Sequence, residues 1–146
     1  MGILILYATK SGAARECAEL LAGKMTDCRI CDLSSGSPDI TKADTLIIGS
    51  GIRMGHLYKP ARKFILENLD KLLLKKVAIY LCNAYEENLT KTIESDIPLI
   101  LARNALCVES FGGKPPFTNP KNKDWIQMDK VTAMLQAVES VGNKSL

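Results

Sequence analysis

An α/β fold, with a parallel sheet covered by helices on both faces, is what this sequence predicts, on three observations. Five short apolar runs alternate with longer segments of helical spacing. The first runs are continuously apolar, as strands buried on both faces are, instead of alternating apolar and polar. The Gly- and Ser-rich turns follow the carboxyl ends of these runs.

The elements follow in order. Gly2–Tyr7 reads as the first strand, and Thr9-Lys10-Ser11-Gly12 as a polar turn. Ala14, Cys17, Ala18, Leu21 and Ala22 recur at helical spacing, which predicts a helix over Ala13–Met25. Cys28–Leu33 is a short strand and Ser34–Asp39 a Ser/Gly/Pro loop. Thr45–Ile48 is a third strand, ending at Gly49-Ser50-Gly51. Lys59–Leu72 is a helix with Phe64, Ile65, Leu69 and Leu72 on one stripe and Pro60 in its first turn, where proline is tolerated. Val77–Cys82 is the fourth strand. Thr90–Ala102 carries one or two short helices, interrupted near Pro98. Ala105–Ser110 is the fifth strand, closed by Gly112-Gly113 and Pro115-Pro116. Asp124–Val141 is a last helix whose inner stripe is Ile126, Val131, Met134, Leu135 and Val138. With no repeat or linker, the expectation is one domain over residues 1–146.

Composition narrows the function classes. The chain has 146 residues, 47% hydrophobic and 24% charged, with a net charge of +3. That apolar content excludes disorder as the dominant state. No apolar run approaches the ~18 residues of a membrane span. The start of the sequence has no basic leader or cleavage site, and five scattered cysteines suit a reducing compartment, so a cytoplasmic protein without a transmembrane segment is expected. The mild positive charge is not clustered as a nucleic-acid binder requires.

In a sheet of this kind ligands bind beyond the carboxyl ends of the strands, where the winding reverses. This directs attention to residues 8–14, 49–58 and 82–89. The first of these loops joins a buried strand to a helix N-terminus, whose unpaired N–H groups and partial positive charge favour an anion. Thr9 and Ser11 add hydroxyls, Lys10 a cation, and Gly12 a close backbone approach, while Ala13 and Ala14 keep the first turn slim. The pattern is that of a phosphate cup. It is neither a Walker loop nor a G-x-G-x-x-G turn. The competing reading is a helix cap supplied by Ser11 alone.

Thr9-x-Ser11-Gly12-x-Ala14 resembles the loop that holds the FMN phosphate in flavodoxin-fold proteins. The resemblance implies a flavodoxin-like three-layer sandwich: a five-stranded parallel sheet in order 2-1-3-4-5 with helices on both faces.

The second loop holds Gly49, Ser50, Gly51, Ile52, Arg53, Met54, Gly55 and His56. Three glycines here suggest special dihedrals or a backbone lying against a flat ligand. Ile52 and Met54 are suited to pack on a ring. The alternative is a plain Gly-rich turn with a solvated Arg53 and His56. Ile48-Gly49-x-x-Ile52-Arg53-x-Gly55-His56, with Arg15-Glu16-x-Ala18 behind the first loop, resembles the menaquinone-dependent protoporphyrinogen oxidases and related flavodoxin domains. The likeness runs from the first strand to about Asn83. Where that family has an extra basic and aromatic segment after its last strand, Gly112–Lys123 is short, Pro-rich and polar.

The flavodoxin resemblance further implies that the loop after the fourth strand, with Cys82, Asn83 and Tyr85, meets the pyrimidine end of the flavin, Tyr85 stacking on it. Cys28 and Cys31 have C-x-x-C spacing, yet residues three apart on a strand face opposite sides, so no metal or disulfide is expected of them. The expected cofactor is therefore FMN, in an electron carrier or a flavin-dependent oxidoreductase. Its partner is a redox protein or a small-molecule acceptor such as a quinone. The +3 charge leans toward an acidic partner, weak contact with a membrane surface, or an enzyme. Two other readings stay open: a non-flavin phosphate or nucleotide module, and a domain of the same fold that only binds protein.

Overall fold

The computed structural model describes residues 2–10, 12–36, 38–82, 89–113 and 125–144, with side chains to 139. Ser11, Asn83 and Tyr85, singled out above, lie outside the described residues, as does most of 112–123.

Strands β1 (Ile3–Ala8), β2 (Cys28–Asp32), β3 (Thr45–Arg53), β5 (Lys76–Cys82) and β6 (Cys107–Ser110) form a parallel sheet in the order β2-β1-β3-β5-β6. A two-residue strand, β4 (His56–Leu57), pairs antiparallel to the end of β3. The five long strands thus stand in the expected 2-1-3-4-5 arrangement, with β4 added at the side.

Alternation along the strands sends side chains into two separate apolar layers. Leu4, Leu6, Leu46, Ile48, Val77, Ile79 and Leu81 meet helices α2 (Lys59–Glu67), α3 (Leu69–Leu72), α4 (Leu89–Asp96) and α5 (Leu99–Asn104). Ile5, Tyr7, Ile47, Ala78 and Tyr80 meet α1 (Ala13–Gly23) and α6 (Met128–Lys144). Ile5, Leu6, Ile47 and Leu81 are fully buried, and each such side chain contributes about 1.5–3 kcal/mol of transfer free energy. Cys31 packs in the first layer and Cys28 in the second, so the pair does face opposite sides. No group of three or more metal-ligating side chains occurs among the described residues.

Several element boundaries differ from expectation. The predicted helix over Lys59–Leu72 breaks at Asn68, whose side-chain amide donates to the Phe64 carbonyl at 2.9 Å and ends α2. The first helix stops at Gly23, and the last begins at Met128. The largest correction concerns β3, which does not end before Gly49 but runs on to Arg53. Gly49 and Gly51 are therefore strand residues.

Aromatic rings explain these two glycines. A Cβ on Gly49 would lie 1.9 Å from the Tyr80 ring, and one on Gly51 2.7 Å from the Tyr58 ring. Tyr80 is the neighbour of Gly49 on β5 and lays its ring in the vacated space. There it stacks on Phe111 with ring centres 4.9 Å apart, and its hydroxyl donates to the Ala14 carbonyl at 2.7 Å. Within residues 49–57, left-handed backbone is confined to the hairpin tip, where Met54 (φ 53°) and Gly55 (φ 81°) supply the positive dihedrals of a two-residue turn.

Candidate functional site

The first loop is built around Gly12, which adopts φ 92°, a left-handed value that glycine takes without Cβ strain. This turn lets the Gly12 N–H donate to Thr9 Oγ1 at 2.9 Å while the Gly12 carbonyl accepts from Glu16 N–H at 2.9 Å. Thr9 thus accounts for one donor, and α1 opens without a side-chain cap on Gly12. The N–H groups of Ala13, Ala14 and Arg15 have no place in the helical ladder and point out of the helix start. Space at Gly12 is open, with no atom within 4 Å of where a Cβ would stand. These donors, with the Thr9 hydroxyl and the exposed Lys10, fit a phosphate monoester.

Lys10 reaches toward the centre of the site. Its ammonium lies 5.7 Å from the centroid of the Tyr58 ring, a cation–π contact worth about 0.5–1 kcal/mol. Tyr58 is half-buried at the end of β3, and its N–H donates to Ser50 Oγ at 3.1 Å. Ser50 Oγ in turn donates to the Gly51 carbonyl at 2.7 Å. Burial pushes the Tyr58 phenol up, against an opposing pull from the Arg53 guanidinium. Tyr58 was not singled out from the sequence. Its signal was available: an aromatic residue directly before the Lys59-Pro60 helix start is held at the strand ends.

The remaining candidates divide. Ile52 is partly buried and packs against the core, because it continues the inward alternation of β3. Met54 is 89% exposed at the hairpin tip. Arg53 is exposed and stands opposite His56 across the hairpin. The Cys82 side chain is turned into the core, 3.9 Å sulfur to sulfur from Cys17. The Cys17 contact and burial hold its thiol well above the ordinary cysteine value, so it stays neutral. What Cys82 presents at the strand end is backbone, beside Gly51.

The hairpin is gripped by α4. Asp96, with a side chain 4% exposed, accepts from His56 Nδ1 at 3.0 Å, from Leu57 N–H at 2.7 Å and from Ser95 Oγ at 3.0 Å. One turn earlier Thr92 Oγ1 donates to the Gly55 carbonyl at 2.8 Å. Burial pushes the Asp96 carboxyl up, but the hydrogen bonds from His56, Leu57 and Ser95 outweigh it and hold it below the ordinary aspartate range. The folded state therefore binds fewer protons than the unfolded one. The stability this contributes is present above about pH 4 and is lost as pH falls below that value. Removing the carboxylate strands the buried Leu57 N–H, so Asp96→Ala is expected to cost about 2–3 kcal/mol near neutrality. Urea unfolding checks this: the gap between the two proteins should narrow below about pH 4. A gap independent of pH would contradict the assignment.

A cleft of about 380 Å³ lies off this region, between the turn after β2 and the start of α2, lined by Leu33, Ser34, Lys59, Pro60, Lys63 and Phe64. Its lining includes no residue of 8–14 or 49–58.

A doubly wound parallel sheet with an open helix start after its first strand defines a class of α/β folds whose ligand sites lie at the carboxyl ends of the strands. Within that class the sequence matches the flavodoxin-domain family over residues 4–137, and the chain belongs to that family. Solved structures agree in fold. A flavoprotein from Lactobacillus acidophilus in complex with FMN superimposes with a TM-score of 0.58 at 17% identity, covering 75% of this chain and 92% of that one. A short-chain flavodoxin associated with a bacterial microcompartment gives 0.67 at 15% identity, covering 97% and 99%. The rubredoxin:oxygen oxidoreductase of Desulfovibrio gigas gives 0.59 at 15% identity, with 99% of this chain lying on 37% of that longer one. No curated protein sequence matches the chain. Among the described residues, no helix is long and apolar enough to cross a membrane.

Proposed function

We propose that this chain is an FMN-binding redox protein, a single flavodoxin-like domain that passes electrons to a partner protein or a small-molecule acceptor. The observation that carries the reading is the cradle at the end of β1: a left-handed Gly12, the Thr9 hydroxyl and the first N–H groups of α1. Thr9, Lys10, Ser11, Gly12, Ala13 and Ala14 would hold the phosphate. Ser50 to Gly55 and the backbone of Cys82, with Asn83 and Tyr85, would border the ring system. Tyr58 joins them as an aromatic face already fixed at the strand ends. Bound FMN would supply one- or two-electron chemistry, which no side chain of the site can perform.

The chain's own part is to bind, orient and set charge. Lys10 and Arg53 place positive charge on both sides of Tyr58, which favours an anionic cofactor and an acidic partner or surface. The likeness of Ile48–His56 to the protoporphyrinogen oxidases supports the oxidoreductase branch of this reading. The visible absorption of the purified protein, before and after FMN is added and the excess removed, tests the proposal. A yellow protein with about one flavin per chain is expected. A colourless protein that ignores FMN yet binds inorganic phosphate or a nucleotide would make it a phosphate module instead.

A further inference from the structure

We propose that His56 is the proton-exchanging side chain of this site, with Asp96 as its positioning residue, so that the chain reduces an organic acceptor that takes up hydrogen instead of carrying bare electrons. The inference rests on the FMN reading and goes beyond it.

The geometry is that of an oriented imidazole. An ionised carboxylate only accepts hydrogen bonds, so Nδ1 bears the hydrogen it shares with Asp96. The exchangeable position is then Nε2, which has no partner among the described residues. Asp96 is itself immobilised by Leu57 N–H and Ser95, so the ring is held on a buried base while 54% of its side chain is exposed. A buried acid behind an exposed histidine is the arrangement that fixes tautomer and direction in proton-transfer sites.

Placement carries the argument further. His56 sits on the hairpin that leaves the carboxyl end of β3, the strand between the cradle strand β1 and β5. Among the described residues, the charged groups facing it are Asp96 from α4 and Arg53 from β3. Lys10 and the Tyr58 phenol lie at the same strand ends, and Lys91 and Glu94, the other charged residues of α4, are exposed. A surface latch alone would be met by any hydrogen-bond donor at this position.

Chemically, reduction of a quinone-type carbonyl acceptor to its hydroquinone takes two electrons and two protons. FMN held by the first loop would supply both electrons together with one of the protons. The second proton leaves Nε2 of the imidazolium for the acceptor oxygen, and water reloads the ring.

The test uses the FMN-loaded protein and His56→Gln, whose amide still donates to Asp96 but does not titrate. Reduced protein is mixed anaerobically with a water-soluble benzoquinone in a single turnover from about pH 5 to about pH 9. The chain contains one histidine, so its ring proton resonance is followed by NMR over the same range without ambiguity. The expected result is a wild-type rate profile whose midpoint coincides with the histidine titration. In His56→Gln that arm is absent and the rate is about 100-fold lower, with FMN affinity and thermal midpoint unchanged. A variant that keeps the wild-type profile, or a rate midpoint that departs from the histidine midpoint, would overturn the assignment while leaving FMN binding intact. Failure of the wild-type protein to bind FMN would instead remove the reading beneath it.

Discussion

Gly49→Ala should destabilise the fold by roughly 4 kcal/mol. One methyl group is an unusually small change to carry such an effect, and the reason is its position. Its Cβ would stand 1.9 Å from the Tyr80 ring, far inside van der Waals contact. Tyr80 has no room to retreat, because it is fully buried, stacked on Phe111 and tied by its hydroxyl to the Ala14 carbonyl. Overpacking a tight core ordinarily costs about 1–3 kcal/mol. Here the clash sits between two central strands, and relief means breaking the buried hydrogen bond as well, worth about 1 kcal/mol more. A loss of roughly 4 kcal/mol is a large part of the 5–15 kcal/mol that holds a domain together. Urea denaturation followed by circular dichroism gives the number. A midpoint within experimental error of wild type would mean that Tyr80 does not occupy the space above Gly49.

Ser11→Asp is the second large effect, and it falls on binding instead of stability. A carboxylate at the mouth of α1 would take the helix start for itself, since negative charge is favoured there. For the same reason it would repel a phosphate dianion within a few ångströms. Two like charges at about 4 Å repel by roughly 4 kcal/mol at the effective dielectric of a protein surface, which corresponds to a loss of about 1,000-fold in FMN affinity. Fluorescence titration of FMN against wild type and variant measures this directly. An affinity within threefold of wild type would take the first loop out of the site. The variant should fold normally, because an aspartate suits a helix start.

Much of the fold was legible because its signals are local. Strands such as Ile3–Ala8 are buried on both faces, so their residues are apolar throughout and announce themselves. The opposed facing of Cys28 and Cys31 follows from strand geometry alone. The turn after β1 was legible for a related reason: the glycine and the hydroxyl that shape a helix start are close neighbours in the sequence. What could not be read joins residues far apart in the chain. Gly49 and Gly51 look like conformational freedom, but they are absences that make room for rings on other elements. Asp96 lies within an ordinary helical stretch, and only the folded chain brings it against His56, forty residues earlier. Tyr58 stands directly before the Lys59-Pro60 helix start, yet only the folded chain lays its ring over Gly51. Cys82 was placed correctly at the end of its strand, but alternation turned its thiol inward.

The Tyr80 hydroxyl has an effect at a distance from its own packing. It donates to the carbonyl of Ala14, and that carbonyl belongs to the same peptide group as the N–H of Arg15. A peptide accepting a strong hydrogen bond at its oxygen is polarised, and its nitrogen becomes a better donor, an enhancement of perhaps 10–30% per bond. The Arg15 N–H is one of those facing out of the start of α1. The core therefore adjusts the cradle from behind: the ring that fills the space over Gly49 also sharpens the electrostatic pull of the first loop. A purely apolar ring in its place would fill the core equally well and leave the loop with a weaker pull on negative charge.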